Sequence, residues 1–230
     1  MTPEHRPASA GLLLDLDGTL VDTNYLHTLA WSRALVDLGE WAPANAIHRL
    51  VGMGGDQLVP ELLGEPKPGA SEAWQRRFEE LLDEARPFPG ATAFVRRVRA
   101  LGIEVVLATS APADLLDHYV DLLDIRTELT ATTSSDDVDA SKPDPAVFKT
   151  AIAVGGLDPE AVLAVGDSVW DIQAARSAGV GCIGLESGGF SRHELAEEGA
   201  VAVYRDVEEL LRQIRTSPIA GLIRASDPTG

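Results

Sequence analysis

Short runs of Val, Leu and Ile alternate along this chain with longer stretches in which apolar residues recur every three to four positions. That alternation is expected of a parallel sheet covered by helices. The runs predict strands over 12–16, 104–109, 129–132, 162–165, 182–185 and 202–204, and the longer stretches predict helices over 91–101, 113–122, 145–154, 168–178 and 207–214. Asp144-Pro145 reads as a helix start, and Gly102, Gly155 and Gly179 read as helix stops. One region breaks the alternation. Between residues 21 and 86 the spacing is helical throughout, over 24–38, 44–51, 56–63 and 71–85, with no convincing strand. After residue 216 periodicity fades apart from 219–223, so the tail reads as loosely ordered.

The expected fold is therefore α/β, a Rossmann-like parallel sheet with helices on both faces and a small all-helical domain inserted after the first strand. The boundaries read as residues 1–20 and 88–230 for the core and 21–87 for the insertion, with hinges at 21–23 and 87–90. A chain of 230 residues, 45% hydrophobic, can bury one large core or two smaller ones. Its formal charge of −17 argues against a nucleic-acid partner, because phosphate backbones are held by clustered Lys and Arg. The single cysteine, Cys182, excludes an internal disulfide and a cysteine-rich metal site. Residues 1–10 are polar without a signal-peptide pattern and no apolar run approaches membrane length, so the expectation is a cytoplasmic monomer with no membrane partner.

Candidate chemistry lies where predicted strands end. The first ends in Asp15-Leu16-Asp17-Gly18-Thr19, the second in Thr109-Ser110, and the fourth in Gly166-Asp167-Ser168-Val169-Trp170-Asp171, while Ser141-Lys142-Pro143 precedes a helix. In an open parallel sheet such ends converge at one edge. A carboxylate such as Asp15 can attack phosphorus and split one displacement into two, and Asp17 can protonate the leaving oxygen and then activate water. Asp15 and Asp167, with the backbone carbonyl of Asp17, offer oxygen ligands of the kind magnesium takes. Lys142 and Ser110 can bind phosphoryl oxygens.

As an ordered set, these segments resemble the four motifs of the haloacid dehalogenase superfamily, over about residues 11–211. The helical insertion resembles the C1 cap of its phosphoglycolate phosphatase and β-phosphoglucomutase-like branch. The resemblance implies Asp15 as nucleophile, Asp17 as general acid/base, and Asp15, Asp17 and Asp167 as magnesium ligands. It further implies Gly18, Thr19, Ser110 and Lys142 around the phosphate, and Asp171 holding Lys142 or a metal-bound water. Halide-displacing members lack an aspartate at the Asp17 position, and a phosphonatase would want a lysine near Gly52–Gly55, where this chain has Met53. The implied activity is a magnesium-dependent phosphatase acting on a small phosphorylated metabolite through an aspartyl phosphate. The alternatives are a sugar-phosphate mutase of the β-phosphoglucomutase kind and a non-catalytic binding module on the same fold.

Several residues carry two readings. Ser168-x-x-Asp171 is also a capping box, and Ser110, just before Ala111-Pro112, could simply start a helix. Gly52-Met53-Gly54-Gly55 is either a specificity loop dipping toward the core or a plain link between helices. His27 and Trp31, four apart on one helix face, resemble a pair that reaches the site in the mutase branch, or else form a partly buried helix face. Arg49, Lys67, Arg76 and Arg77 are the cationic candidates for an anionic substrate tail. Gly179-x-Gly181-x-x-Gly184 spells a dinucleotide fingerprint but leaves a helix and enters a strand, the reverse of the required context. The five histidines show no metal-ligand spacing.

Overall fold

The computed structural model describes residues 9–226; the polar segment before Ser9 and the last four residues of the tail lie outside them. In chain order the elements are β1 (Ser9–Leu14), β2 (Val21–Asp22), α1 (Asn24–Asp37), α2 (Ala44–Leu50), α3 (Gly55–Leu63), α4 (Ala70–Glu79), β3 (Arg86–Pro87), α5 (Ala91–Ala100), β4 (Glu104–Ala108), α6 (Ala113–Leu123), β5 (Ala131–Thr133), α7 (Ala146–Gly155), β6 (Leu157–Gly166), α8 (Val169–Ser177), β7 (Gly181–Leu185), α9 (Arg192–Glu198), β8 (Ala202–Tyr204), α10 (Val207–Arg212) and α11 (Ile219–Ser226).

Six of the strands form one parallel sheet in the order β5-β4-β1-β6-β7-β8. Both faces are covered, which is why β1 reads as a continuous apolar run rather than an alternation. Leu12 and Leu14 enter one hydrophobic cluster together with Phe94, Val98, Leu116 and Leu210. Leu13 enters the opposite one with Phe148, Ile172 and Leu195. The strand order reverses between β1 and β6, and the crevice above their carboxyl ends is where such sheets bind ligands.

Helices α1–α4 sit between β2 and β3, which pair antiparallel through Val21 with Pro87 and Asp22 with Arg86. The two segments read as hinges are thus bonded to each other. These helices close around their own cluster of Trp31, Leu35, Ile47, Leu58 and Ala73. Ala30, Phe78 and Leu81 on their inner side join the cluster that flanks the sheet.

Some expectations shift. Strand β1 stops at Leu14 because the Leu16 carbonyl accepts from the amides of Thr19, Leu20 and Val21, which turns the chain. The helix read over 71–85 ends at Glu79 and resumes as a short 3-10 turn at Leu82–Glu84. Gly155 closes α7, and the left-handed stop is Gly156 (φ +61°). The tail is more ordered than its weak periodicity predicts: in α11, Ile219 and Leu222 lie one turn apart and bury against the sheet-side cluster. Helix α9 was not anticipated, although Ser191-x-x-Glu194 forms a capping box at its start. No helix among the described residues is long and apolar enough to cross a membrane.

Candidate active site

Asp15 is the first residue beyond β1, and its amide donates to the Val165 carbonyl of β6 at 3.0 Å, which fixes it at the switch point of the sheet. Gly18 turns the chain back with a φ of +75°. A Cβ there would collide with the carboxylate of Asp167 and the amide of Asn24, so only glycine lets these groups approach.

Lys142 is the centre of the polar cluster. Its ammonium lies 2.6 Å from Asp15 Oδ1 and 2.7 Å from Asp171 Oδ1, with the lysine side chain 1% exposed. Asp171 serves twice: Oδ1 faces the lysine, while Oδ2 accepts from the amide and hydroxyl of Ser168 and closes the capping box of α8. The two readings of Ser168-x-x-Asp171 therefore coexist. Asp167 accepts from Thr19 Oγ1 at 3.0 Å and from Asn24 Nδ2 at 2.8 Å.

Oxygens of Asp15, Asp167 and Asp171 lie within 4.8 Å of one another. Three carboxylates and one ammonium share this cluster, a surplus of two negative charges when all are ionised. Burial pushes Asp15 up to about 7 against the pull of Lys142, with Asp171 adding to the rise. Burial, Asp171 and Asp15 together raise Asp167 well above the carboxylate range. Lys142 is raised despite its burial, because Asp15 and Asp171 hold its proton. A buried surplus of this sign fits a divalent cation with oxygen ligands.

The Asp17 carboxylate stands apart from that cluster. Its Oδ1 accepts from Thr23 Oγ1 at 2.6 Å and lies 2.8 Å from His27 Nε2. Burial pushes it upward, but His27 and Thr23 outweigh that and hold the carboxyl below its ordinary value. The Tyr119 hydroxyl of α6 is buried beside it. Asp15 and Asp17 nevertheless line the same cavity, of about 350 Å³, between the sheet edge and the helical layer. Ser110 lines it too, with a buried hydroxyl that has no partner, as expected of a group kept for an incoming oxyanion.

The sequence pattern of haloacid dehalogenase-like hydrolases matches residues 10–179. The chain belongs to this family. It is 30% identical over 212 residues to a phosphoglycolate phosphatase of Pseudomonas putida, covering 87% of this chain and 78% of that one. A crystal structure of a hydrolase from Pseudomonas syringae superimposes with a TM-score of 0.85 at 30% identity, covering 90% of this chain and 98% of the other. CbbY from Rhodobacter sphaeroides, solved in complex with phosphate, gives a TM-score of 0.73 at 26% identity over 88% and 96% of the two chains. The family and these relatives make the chain a phosphoric monoester hydrolase.

In this haloacid dehalogenase-like hydrolase the residues read from sequence separate into three groups. Asp15, Lys142, Asp167 and Asp171 share one cluster, with Thr19 hydrogen-bonded to Asp167 and its hydroxyl 3.4 Å from Asp15 Oδ2. Asp17, Ser110, His27, Trp31, Met53 and Gly54 line the cavity, and the Gly52–Gly55 loop does dip to the core, Gly52 lying against Ser168 and Gly54 against Ser141. Arg49 does not reach the cavity: it pairs with Glu194 at 2.7 Å and lies 4.0 Å over the Phe190 ring. Lys67 is paired with Glu40, and Arg77 with Asp37 and Glu80. Sequence reasoning missed Thr23, Asn24 and Tyr119. Asn24 looks like an ordinary helix-starting residue and Tyr119 like a core aromatic, so neither carried a signal.

Proposed function

We propose that this chain is a magnesium-dependent phosphatase that hydrolyses a small phosphorylated metabolite through an aspartyl phosphate. The buried arrangement of Lys142 between Asp15 and Asp171, with Asp167 adjoining, carries the reading. Asp15 and Asp167 would hold the metal. Bound there, magnesium would offset the charge of the carboxylates and polarise the phosphoryl group.

A carboxylate oxygen of Asp15 bonds to phosphorus as the bond from phosphorus to the alcohol oxygen breaks, and Asp17 gives that oxygen its proton. Water then attacks the phosphorus of the aspartyl phosphate and loses its proton to Asp17, releasing inorganic phosphate, freeing the Asp15 carboxylate and returning Asp17 to its protonated form. His27 and Thr23 fix where Asp17 points. Lys142 orients Asp15, and the free Ser110 hydroxyl donates to a phosphoryl oxygen. Residues 21–87 act as a cap whose closure over the cavity keeps bulk water from the intermediate.

The mutase alternative needs His27 together with a cation of the helical insertion; His27 lines the cavity, but no lysine or arginine among the described residues does and Lys67 is held by Glu40, so hydrolysis is favoured. Incubation with magnesium and β-glucose 1-phosphate tests both points. Release of inorganic phosphate without glucose 6-phosphate is expected, and accumulation of glucose 6-phosphate would establish the mutase. Asp15→Asn is expected to abolish magnesium-dependent turnover of p-nitrophenyl phosphate; retained turnover would remove the nucleophile assignment.

A further inference from the structure

The cavity has an unusual charge for a pocket that receives an anion. Among the described residues, no lysine or arginine lines it, whereas Asp56 and Asp139 do, both at its exposed edge. The cations of the helical layer point elsewhere: Arg49 to Glu194, Lys67 to Glu40 and Arg77 to Asp37, while Arg76 is exposed near Asp37. Lys142 is committed to Asp15 and Asp171, and His27 to Asp17. Even the N-terminus of α3, where an anion would otherwise be favoured, already carries Asp56 in its first turn. Part of the remaining wall is aromatic, with Trp31 and Trp74 stacked at 5.6 Å and both lining the cavity.

Once the phosphoryl group is placed at Asp15, whatever it was attached to must lie along this wall. A second negative charge there meets no cation and faces two carboxylates. The alcohol of phosphoglycolate is itself a carboxylate, and that of a bisphosphate carries a further phosphate. Hydroxyl or ammonium groups, by contrast, can donate to Asp56 and Asp139 while carbon faces rest on the indoles, and an ammonium gains further from the rings. We propose that the cavity selects phosphate monoesters whose alcohol part carries no negative charge and offers hydroxyl or ammonium donors. This rests on the phosphatase reading above and names its substrate class.

The test compares kcat/KM of the magnesium-supplemented full chain for 2-phosphoglycolate and xylulose 1,5-bisphosphate with that for glycerol 1-phosphate, glucose 6-phosphate and phosphoethanolamine, with p-nitrophenyl phosphate as reference. The same compounds are titrated calorimetrically into Asp15→Asn, so that their order of affinity is known without turnover. The neutral or ammonium-bearing esters are expected to lead by about tenfold or more, the scale of like-charge repulsion over a few ångström in a partly wet site. Polyol against ethanolamine then tells which donor is preferred. A variant carrying Asp56→Lys and Asp139→Lys is expected to narrow or reverse the order in favour of phosphoglycolate. Equal or better binding and turnover of the anionic-tailed esters by the unaltered chain would overturn the proposal, as would an order indifferent to the two lysines. If nothing is turned over, p-nitrophenyl phosphate included, while the affinity order holds, the phosphatase reading falls and the charge selection stands.

Discussion

Replacing Lys142 with methionine removes one buried ammonium and keeps most of the side-chain volume. The lysine faces two carboxylates at 2.6 and 2.7 Å. At an effective dielectric of about 20, each contact is worth about 6 kcal/mol in gross Coulomb energy. Most of that is offset by the cost of taking three ions out of water, so the two contacts cannot simply be summed. Removing one partner of such a buried pair leaves charge uncompensated, for which losses of about 3–5 kcal/mol are typical. In a chain of this size that lowers Tm by about 10 °C, at about 2–4 °C per kcal/mol. The assay is urea denaturation of the metal-free protein at pH 8 and pH 5, side by side with the unaltered chain. At pH 5, below its raised value of about 7, Asp15 is neutral with or without the lysine, whereas at pH 8 it is ionised beside Lys142 and is raised further once the cation is gone, so the stability gap must shrink at pH 5. A variant as stable as the original at pH 8, or a gap that does not change with pH, would refute the view that Lys142 compensates buried ionised carboxylates.

Other outcomes follow from the same geometry. With metal chelated, Asp15 and Asp167 have folded pKa values above their unfolded ones, so the stability they contribute is full below about pH 4 and is lost as pH rises, for Asp15 through about 7. Magnesium binds their ionised forms, so the Tm gained on adding it, read by differential scanning calorimetry, should be larger at pH 8 than at pH 5; an equal gain would count against these ligands. Ser110→Ala removes a hydroxyl with no partner, so stability should stay within about 0.5 kcal/mol while kcat/KM falls by about tenfold to a hundredfold. Gly18→Ala forces a left-handed φ and a Cβ onto Asp167 and Asn24, and should cost more than about 1 kcal/mol in a urea titration and most of the activity.

Much of the fold was legible because a sheet covered on both faces writes itself as apolar runs. Leu12, Leu13 and Leu14 all had to be apolar, since successive side chains enter opposite clusters. Helix α11 was hard to see because so short a helix buries only Ile219 and Leu222 as strong markers. The polar cluster was legible to the extent that its members sit at strand ends or a helix start, as Asp15, Asp167 and Asp171 do, with Lys142 in the connection that precedes α7. What could not be read was which long side chains turn inward. Arg49 and Lys67 looked available to a substrate until their partners, Glu194 and Glu40, were seen, and those partners lie 145 and 27 residues away in sequence. Tyr119 reaches the site by packing and Asn24 by its bond to Asp167, from a helix interior and a helix start that would look the same in any protein.

Strand β1 lies in the middle of the sheet, and its neighbours come from far downstream: Leu12 is matched with Val105 on one side and Leu163 on the other. During synthesis the first strand therefore leaves the ribosome with no partner, and its second edge stays open until about two thirds of the chain has been made. The amide of Asp15 is bonded only when residue 165 arrives. A chain released early would carry its proposed nucleophile on an exposed, strongly apolar strand, a species suited to aggregation and incapable of chemistry. The arrival of β6 is thus also the moment at which the first strand stops being a hazard, since it closes the second edge of β1.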